Sequence, residues 1–364
     1  MPKTSHKSSV GIVGSGPAAL MAADIISREG IAVTLFEKRR SLGRKLVIAG
    51  SSGLNITFDL PTEKFILKYT GPHSFWKTLF NHFSPSDWLK FVQSLGINTF
   101  KGTSDRYFIE GMKAPPLLAA WKKRLTEQNV KFHLLQECVD YKISKTHEIL
   151  LHFRDGSFES FDAVLFCLGG ASWEPAGESI TWPRMFSEKG LGFTPFTPSN
   201  VGFNVAWKPS LLKEAEGLPL KNIVVTTQKG SSQGDAVITC YGIEGTPIYA
   251  VGVEGEALID LKPDLTAKEI ETKLAQIKEK QSPIRKFQKK LKLCPGALAL
   301  LYHETPPEIL KDTEKLIKRL KAFPLKLESK QGLEWAISSA GGLQLKELND
   351  QMMLKKYPGV FAAG

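Results

Sequence analysis

The stretch Val10-Gly11-Ile12-Val13-Gly14-Ser15-Gly16-Pro17-Ala18-Ala19 decides the reading of everything around it. An apolar, β-type run meets a Gly-x-Gly turn, and helix formers follow from Leu20 to Ile26 before a polar turn closes at Gly30. A second β-type run, Ala32-Val33-Thr34-Leu35-Phe36, ends on Glu37, 18 residues past Ala19. Strand, tight turn, helix, strand and acid in that register make up the dinucleotide-binding fingerprint in its full context. Gly14 allows the tight turn, and Gly16 lets the backbone approach a pyrophosphate with no Cβ in the way. The helix that begins at Pro17 points its unpaired N–H groups and positive dipole end at the phosphates. Ala19 takes the place of the third glycine, where a methyl group still fits between helix and strand. Glu37 is placed to accept hydrogen bonds from a ribose 2′-hydroxyl, which disfavours a 2′-phosphate there. A Gly-x-Gly alone would mark only a loop entering a helix; the strands, the helix and the acid together carry the stronger reading.

Composition narrows the class. A chain of 364 residues has room for about two or three domains with buried cores. Hydrophobic content of 42% and charged content of 23% are those of an ordinary globular protein. No apolar run reaches the roughly 18 residues that a membrane-spanning helix requires, and Met1 to Ser9 lacks the apolar centre of a secretory signal. The four cysteines, Cys138, Cys167, Cys240 and Cys294, lie far apart with no Cys-x-x-Cys pair. That spacing argues for a reducing, cytoplasmic setting and against a structural zinc site or a dithiol redox centre. Each cysteine reads as a small buried apolar residue. The net charge of +11 calls for a partner or a place, and its distribution matters more than its size.

Beyond Glu37 comes a basic turn, Lys38-Arg39-Arg40-Ser41-Leu42-Gly43-Arg44-Lys45, then a small-residue run, Ala49-Gly50-Ser51-Ser52-Gly53-Leu54-Asn55. The turn either neutralises a pyrophosphate or is a solvated loop. Residues 73–96 place Phe75, Trp76, Phe80, Phe83, Trp88 and Phe91 at helical spacing, a helical hairpin whose aromatic stripe is core, with a helix start at Ser84-Pro85-Ser86-Asp87. Ala114-Pro115-Pro116-Leu117 opens another helix, to about Gln128. From Val130 to Asp162 the period turns to two, a small antiparallel meander with a hairpin turn at Asp155-Gly156, its His133, His147 and His152 facing solvent. Asp162 to Leu168 is a buried strand returning to the parallel sheet, and Gly169-Gly170 lets it end against a ligand. Residues 194–262 read as a second, all-β unit. Residues 267–322 are helical and densely basic (Lys278, Lys280, Arg285, Lys286, Lys289, Lys290, Lys315, Lys318, Arg319), broken at Pro283, Pro295 and Pro306-Pro307. Ala336 to Gly342 and Tyr357 to Gly364 return to strand-and-glycine patterning. With a single dinucleotide fingerprint, one tightly held cofactor is expected, and any nicotinamide binds transiently or not at all.

Several motifs run in order from end to end: G-S-G-P-A-A-L-M-A-A with Glu37, S-L-G-R-K at Ser41–Lys45, S-S-G-L-N at Ser51–Asn55, L-G-G-A-S-W at Leu168–Trp173, S-S-A-G-G at Ser338–Gly342 and P-G-V-F-A-A-G at Pro358–Gly364. On these the chain resembles the BaiN/RdsA family of FAD-dependent oxidoreductases, the aminoacetone-oxidase-like flavoproteins. The resemblance implies an α/β fold: a glutathione-reductase-like FAD-binding Rossmann domain from both chain ends (1–192 and 340–364), an inserted β-subdomain (193–262 and 325–339), and a helical basic insert within that (263–324). It implies FAD as the ligand of Gly14, Ser15, Gly16, Pro17, Ala18 and Glu37, with Lys38 beside them. Arg44 and Lys45 would lie near the pyrophosphate and flavin, Asn55 near the isoalloxazine ring, and Val139 against the adenine. Gly169, Gly170, Gly342 and Gly364 complete the expected cofactor-binding set.

The sequence departs from the family at three points. Cys167-Leu168 precede the Gly pair where Ala-Thr is usual, and Pro175 to Thr181 lacks a Thr-Gly-Ser-Asp-Gly run on the substrate side. Family members also continue past the position of Gly364 with an acidic residue, a Gly-rich turn and a helix facing the flavin's pyrimidine side. The expectation is that the chain as given holds FAD weakly or not at all. The function implied is hydride transfer through flavin N5 to or from a small molecule or base, with NADH or NADPH a transient donor. Lys45 and Asn55 are the catalytic candidates; no general acid is nominated and no metal is expected. Relatives act on ribosomal-RNA uridine, steroid double bonds or amines, so the basic insert either contacts RNA phosphates or is a set of solvated helix faces interleaved with Glu304, Glu308, Asp312 and Glu314. The alternative from another class is a degenerate, non-enzymatic binding protein with an empty FAD site.

Overall fold

The computed structural model describes residues 8–51, 53–69, 71–102, 105–174, 180–277 and 281–364. The chain divides into two compact units: Met1–Gly170, Ile180–Pro195 and Gly341–Gly364 form the first, and Ala171–Ser179 with Phe196–Ala340 the second.

In the first unit, β1 (Ser9–Val13), α1 (Pro17–Arg28) and β2 (Ala32–Glu37) follow one another as the fingerprint requires. They sit in a five-stranded sheet of order β19-β10-β1-β2-β6, where β6 is Lys131–Leu134, β10 Ala163–Phe166 and β19 Val360–Ala362. Every adjacent pair in it is parallel. Alternate side chains of a strand point to opposite faces, and the two cores divide accordingly. Ile12 and Leu35 join Ala19, Leu20, Ala23, Trp121 and Leu125 on one face. Val13, Phe36, Val164 and Phe166 join Tyr141, Phe153, Phe161 and Phe186 on the other. Asp24, fully buried on α1, pairs with Arg28 and accepts a 2.9 Å hydrogen bond from Gln128 Nε2, so its charge is compensated.

Between β2 and β6 the first unit holds α2 (Arg44–Ala49), β3 (Asn55–Phe58), α3 (Thr62–Ile66), α4 (His73–His82), α5 (Pro85–Ser94), β4 (Thr99–Lys101), β5 (Arg106–Ile109) and α6 (Ala114–Glu127). The helix start read at Ser84 is a full capping box: Ser84 Oγ accepts from the Asp87 N–H, and the Asp87 carboxylate accepts from the Ser84 N–H. The aromatic stripe of the hairpin splits. Trp88 and Phe91 on α5 stack on each other and pack against Trp121. None of the residues of α4 is buried; its Trp76 and Phe80 meet Tyr69, and Phe80 also meets Phe65, in a satellite cluster outside the main core. Helical spacing reports a shared face, not what covers it.

β6 corrects the reading of residues 130–162, because it pairs with β2 as an edge strand of the parallel sheet. The antiparallel meander is only β7 (Cys138–Ile143), β8 (Ile149–Phe153) and β9 (Phe158–Phe161), turning at Arg154–Gly156. His133 and His147 are exposed, whereas His152 is half-buried with Nε2 shielded from solvent. Of the cysteines, Cys138 and Cys167 are buried but Cys240 is exposed, so not all four are core residues. After α7 (Trp182–Ser187) the chain leaves the unit along β11 (Phe193–Asn200).

The second unit is built on a six-stranded sheet of order β12-β15-β14-β13-β16-β17: β12 (Phe203–Asn204), β13 (Pro219–Thr227), β14 (Gly230–Thr239), β15 (Gly242–Gly245), β16 (Gly255–Asp260) and β17 (Phe323–Leu327), all pairs antiparallel. The 194–262 region is not all-β, since α8 (Pro209–Ala215) and α9 (Thr246–Val251) interrupt it. The helical region divides into α10 (Ala267–Ala275), α11 (Pro283–Lys290), α12 (Pro295–Glu304), α13 (Pro307–Leu310) and α14 (Thr313–Lys321). Pro283, Pro295 and Pro307 each open a helix, where the missing N–H costs nothing. Ile270, Phe287, Leu300 and Leu316 from these helices share one hydrophobic core with Ile223, Val225 and Ile259 of the sheet. The chain returns to the first unit along β18 (Ser338–Leu343), which pairs with β11.

Candidate functional site

Parallel strands end on one edge of the sheet, and the turn from β1 into α1 lies on that edge. Gly14 has φ of +107°, and a Cβ there would lie 2.1 Å from the Cys167 carbonyl oxygen at the end of β10. No side chain fits, so the tight turn is glycine by necessity. Gly16 is different: its φ is −71° and ψ 178°, open to any residue, and a Cβ would meet no protein atom within 4 Å. The space beside its backbone is bounded by the N-terminus of α1, which carries no side-chain cap and has Pro17 in its first turn. Its first N–H groups therefore face that space with their dipole end positive.

Glu37, at the end of β2, is tied to the turn through Ser15. Its carboxylate accepts from Ser15 Oγ and, at 2.8 Å, from the Arg39 N–H. Ser15 in turn accepts from the Gly43 N–H at 3.1 Å through Oγ and at 3.0 Å through its carbonyl. One serine thus ties the glycine turn, the ribose-type acid and the start of α2 together. The segment read as a basic turn ends in structure: Gly43 is left-handed, with φ of 64°, and Arg44 begins α2. Lys45 Nζ donates 2.6 Å to the Gly170 carbonyl, which joins α2 to the Gly pair after β10. Gly364 reaches the same edge, where a Cβ on it would lie 3.2 Å from Ala18 Cβ.

The structure therefore brings together Gly14, Ser15, Gly16, Pro17, Ala18, Glu37, Lys45, Gly170 and Gly364. Lys38 is exposed next to Glu37, and Gly169 is half-buried with φ of 70°. Asn55 is exposed at the start of β3, opposite Phe108 of β5, and Val139 is 41% exposed on β7. Gly342 is buried on β18 with φ of 109°. No hydrogen bond or ion pair joins Asn55, Val139 or Gly342 to the glycine turn among the described residues. Ser52 and most of the 175–181 departure, Pro175 to Ser179, lie outside the described residues. The linking role of Ser15 was not read from the sequence, although a hydroxyl between the two motif glycines is the signal for it.

Burial pushes the Cys138 and Cys167 thiols up to about 12, so both remain protonated at neutral pH and neither is a nucleophile. Among the described residues no cluster of three His, Cys, Asp or Glu could hold a metal ion, and no helix is long and apolar enough to cross a membrane. The edge offers backbone donors, an anchored carboxylate and lysine-borne positive charge. Backbone donors and an anchored acceptor are the groups that a dinucleotide's phosphates and ribose call for.

A family model described as the HI0933-like protein Rossmann domain matches residues 8–364. A ribosomal RNA dihydrouridine synthase from Escherichia coli (strain K12) is 22% identical over 369 residues, covering 97% of this chain and 90% of that protein. Among solved structures, the 3-ketosteroid-delta4-(5alpha)-dehydrogenase of Rhodococcus jostii RHA1, in complex with 4-androstene-3,17-dione, is 13% identical with a TM-score of 0.50. That likeness covers 100% of this chain and 92% of that one, and at such low identity it is a likeness of fold.

Proposed function

The chain belongs to the HI0933-like Rossmann family, and from that premise we propose that it is an FAD-dependent oxidoreductase. The observation that carries this reading is the open space beside Gly16, at the uncapped start of α1, with the Glu37 carboxylate tied to the same turn. The residues present fit the group: a pyrophosphate needs backbone donors and no Cβ, and an adenosine ribose needs an acceptor held in place. FAD, when bound, supplies a flavin that accepts or releases hydride at N5. In this reading the α1 amides and Gly16 hold the pyrophosphate, and Glu37, fixed by Ser15 and Arg39, takes the ribose hydroxyl. Arg44 and Lys45 set positive charge on the same side, with Lys45 oriented by the Gly170 carbonyl. Asn55, Val139 and Gly342 remain candidates for the flavin and adenine ends, and NADH or NADPH remains a transient donor.

For the substrate, we favour a uridine of ribosomal RNA over a free small molecule. The full-length relative named for that activity and a net charge of +11 support this choice. A buried base is reached only after it is unstacked into a pocket. The test is a visible spectrum of the chain mixed with FAD and freed of excess by gel filtration, before and after anaerobic NADH or NADPH. Retained flavin bands that bleach carry the oxidoreductase reading, and dihydrouridine formed in protein-free ribosomal RNA then carries the substrate. A chain that retains no flavin sinks both, and leaves a non-enzymatic binding protein.

A further inference from the structure

From Gln281 to His303 the chain contains no Asp or Glu, while Arg285, Lys286, Lys289, Lys290 and Lys292 fall in its first half. On α11 the four cations occupy positions i, i+1, i+4 and i+5, one face of a helix. The opposite face is spoken for: Phe287 and Leu291 are buried in the unit's core, with Ile284 packed against it. The helix is therefore anchored, with Arg285, Lys289 and Lys290 exposed and Lys286 half-exposed.

The basic residues of α14 are arranged otherwise. Lys318 pairs with Glu314 at 2.6 Å, Lys315 with Asp312 at 3.7 Å and Lys321 with Asp260 at 2.7 Å, and Arg319 donates to the Glu304 carbonyl at 2.9 Å. Those charges are spent within the fold. On α10, which packs against α11, Glu269 caps its own helix at Thr266 and Glu271 lies near Lys318. Lys289 is already engaged. Among the described residues, no ion pair reaches Arg285, Lys286, Lys290 or Lys292. Lys278 and Lys280, which precede α11, lie outside the described residues.

We propose that the outward face of α11, continued by Lys292, is the surface on which an RNA backbone docks. The proposal rests on the ribosomal-RNA reading above and adds where the polyanion is held. Phosphates are what such a face recognises: fixed cations, no carboxylate paired with Arg285, Lys286, Lys290 or Lys292 among the described residues, and no base-reading group required. A lipid surface suits it less, because a helix that lies on a membrane needs a free apolar face, and α11 has turned its own inward.

The experiment compares binding of protein-free ribosomal RNA across a salt series for three FAD-loaded proteins. These are the unaltered chain, a triple variant Arg285→Gln, Lys286→Gln and Lys290→Gln, and a control Lys315→Gln with Lys318→Gln. Glutamine keeps helix propensity, and melting temperatures within a few degrees certify each fold. Losing three phosphate contacts flattens the slope of log K against log salt by about 2 to 3, with at least a tenfold loss of affinity at physiological salt, while the control matches the unaltered chain. Equal slopes and affinities for the triple variant and the unaltered chain overturn the surface, and the substrate reading survives if that RNA is still reduced. No salt-dependent RNA binding by the unaltered chain overturns both, and retained flavin then shows whether the oxidoreductase reading stands. Loss of binding to phosphatidylserine vesicles with RNA binding unchanged also overturns the proposal.

Discussion

Replacing Gly16 by alanine separates folding from cofactor binding more cleanly than any other change in the chain. With φ of −71° and ψ of 178°, the backbone at Gly16 suits alanine, and the new methyl meets no protein atom within 4 Å. Restricting the unfolded chain stabilises the fold by about 0.4–1 kcal/mol, while alanine is a poorer N-cap than glycine by a comparable amount. The cofactor-free protein is therefore expected to keep its stability within about 1 kcal/mol, a melting shift of no more than about 2–4 °C. The methyl instead intrudes on the space assigned to the pyrophosphate. Overpacking of about 1–3 kcal/mol corresponds to FAD binding weakened by roughly 5- to 150-fold. Gly14→Ala supplies the contrast: a positive φ costs about 1–3 kcal/mol, and a Cβ 2.1 Å from the Cys167 carbonyl forces the backbone apart, so stability and binding fall together. The assays are thermal melts without cofactor and a flavin-fluorescence titration. If Gly16→Ala binds FAD like the unaltered chain, the pyrophosphate does not lie against Gly16. If it melts well below that chain, the space beside Gly16 is not open.

Glu37→Gln keeps one acceptor oxygen but loses the charge that holds both Ser15 Oγ and the Arg39 N–H. FAD affinity is expected to fall about tenfold, and an unchanged titration would detach Glu37 from the ribose. Trp121 is fully buried beside Trp88 and Phe91, and its Nε1 has no partner among the described residues. Trp121→Ala should cost about 3–5 kcal/mol in urea unfolding, but Trp121→Phe far less, because the phenyl ring refills most of the space and the N–H it loses was orphaned; a Phe variant that costs more than about 2 kcal/mol would mean the indole is hydrogen-bonded. The Ser84 hydroxyl and backbone N–H hold the Asp87 carboxyl down at about 2 from its usual 3.8. A carboxyl depressed by folding stabilises above its unfolded pKa, and that stability is lost as pH falls through the folded value. Asp87→Asn should therefore lower the urea midpoint at pH 7 by more than at pH 2, and a gap equally large at pH 7 and pH 2 would refute the capping role.

The parts legible in the sequence were those in which a local pattern and a tertiary partner demand the same residues. Val10 to Glu37 had to alternate between two cores, turn where no Cβ fits, and end on an acid, so the requirements pointed one way. Where only one requirement operates, the sequence underdetermines the outcome. Lys131 to Leu134 has the period of a strand, and nothing local says whether β2 or β7 is its neighbour. The structure pairs it in parallel with β2, after a connection that ends in α6. The stripe on α4 likewise states a face without stating its cover, and here that cover is a small cluster around Phe65 and Tyr69.

The same distinction separates the two basic features. Lys315 and Lys318 on α14 have acids three or four residues away in the sequence, and in the fold they pair with them. Arg285, Lys286 and Lys290 on α11 have no acid within reach along their own helix, so only the surrounding fold could neutralise them, and none of the described residues does. A block of like charges anchored by Phe287 cannot relax by fraying without exposing that ring, a cost of about 1.5–3 kcal/mol. The self-repulsion of the α11 face is therefore built into the folded state. A polyanion that relieves it stabilises the fold by the free energy with which it binds, so RNA should raise the melting temperature of the unaltered chain and raise that of the α11 triple variant by less.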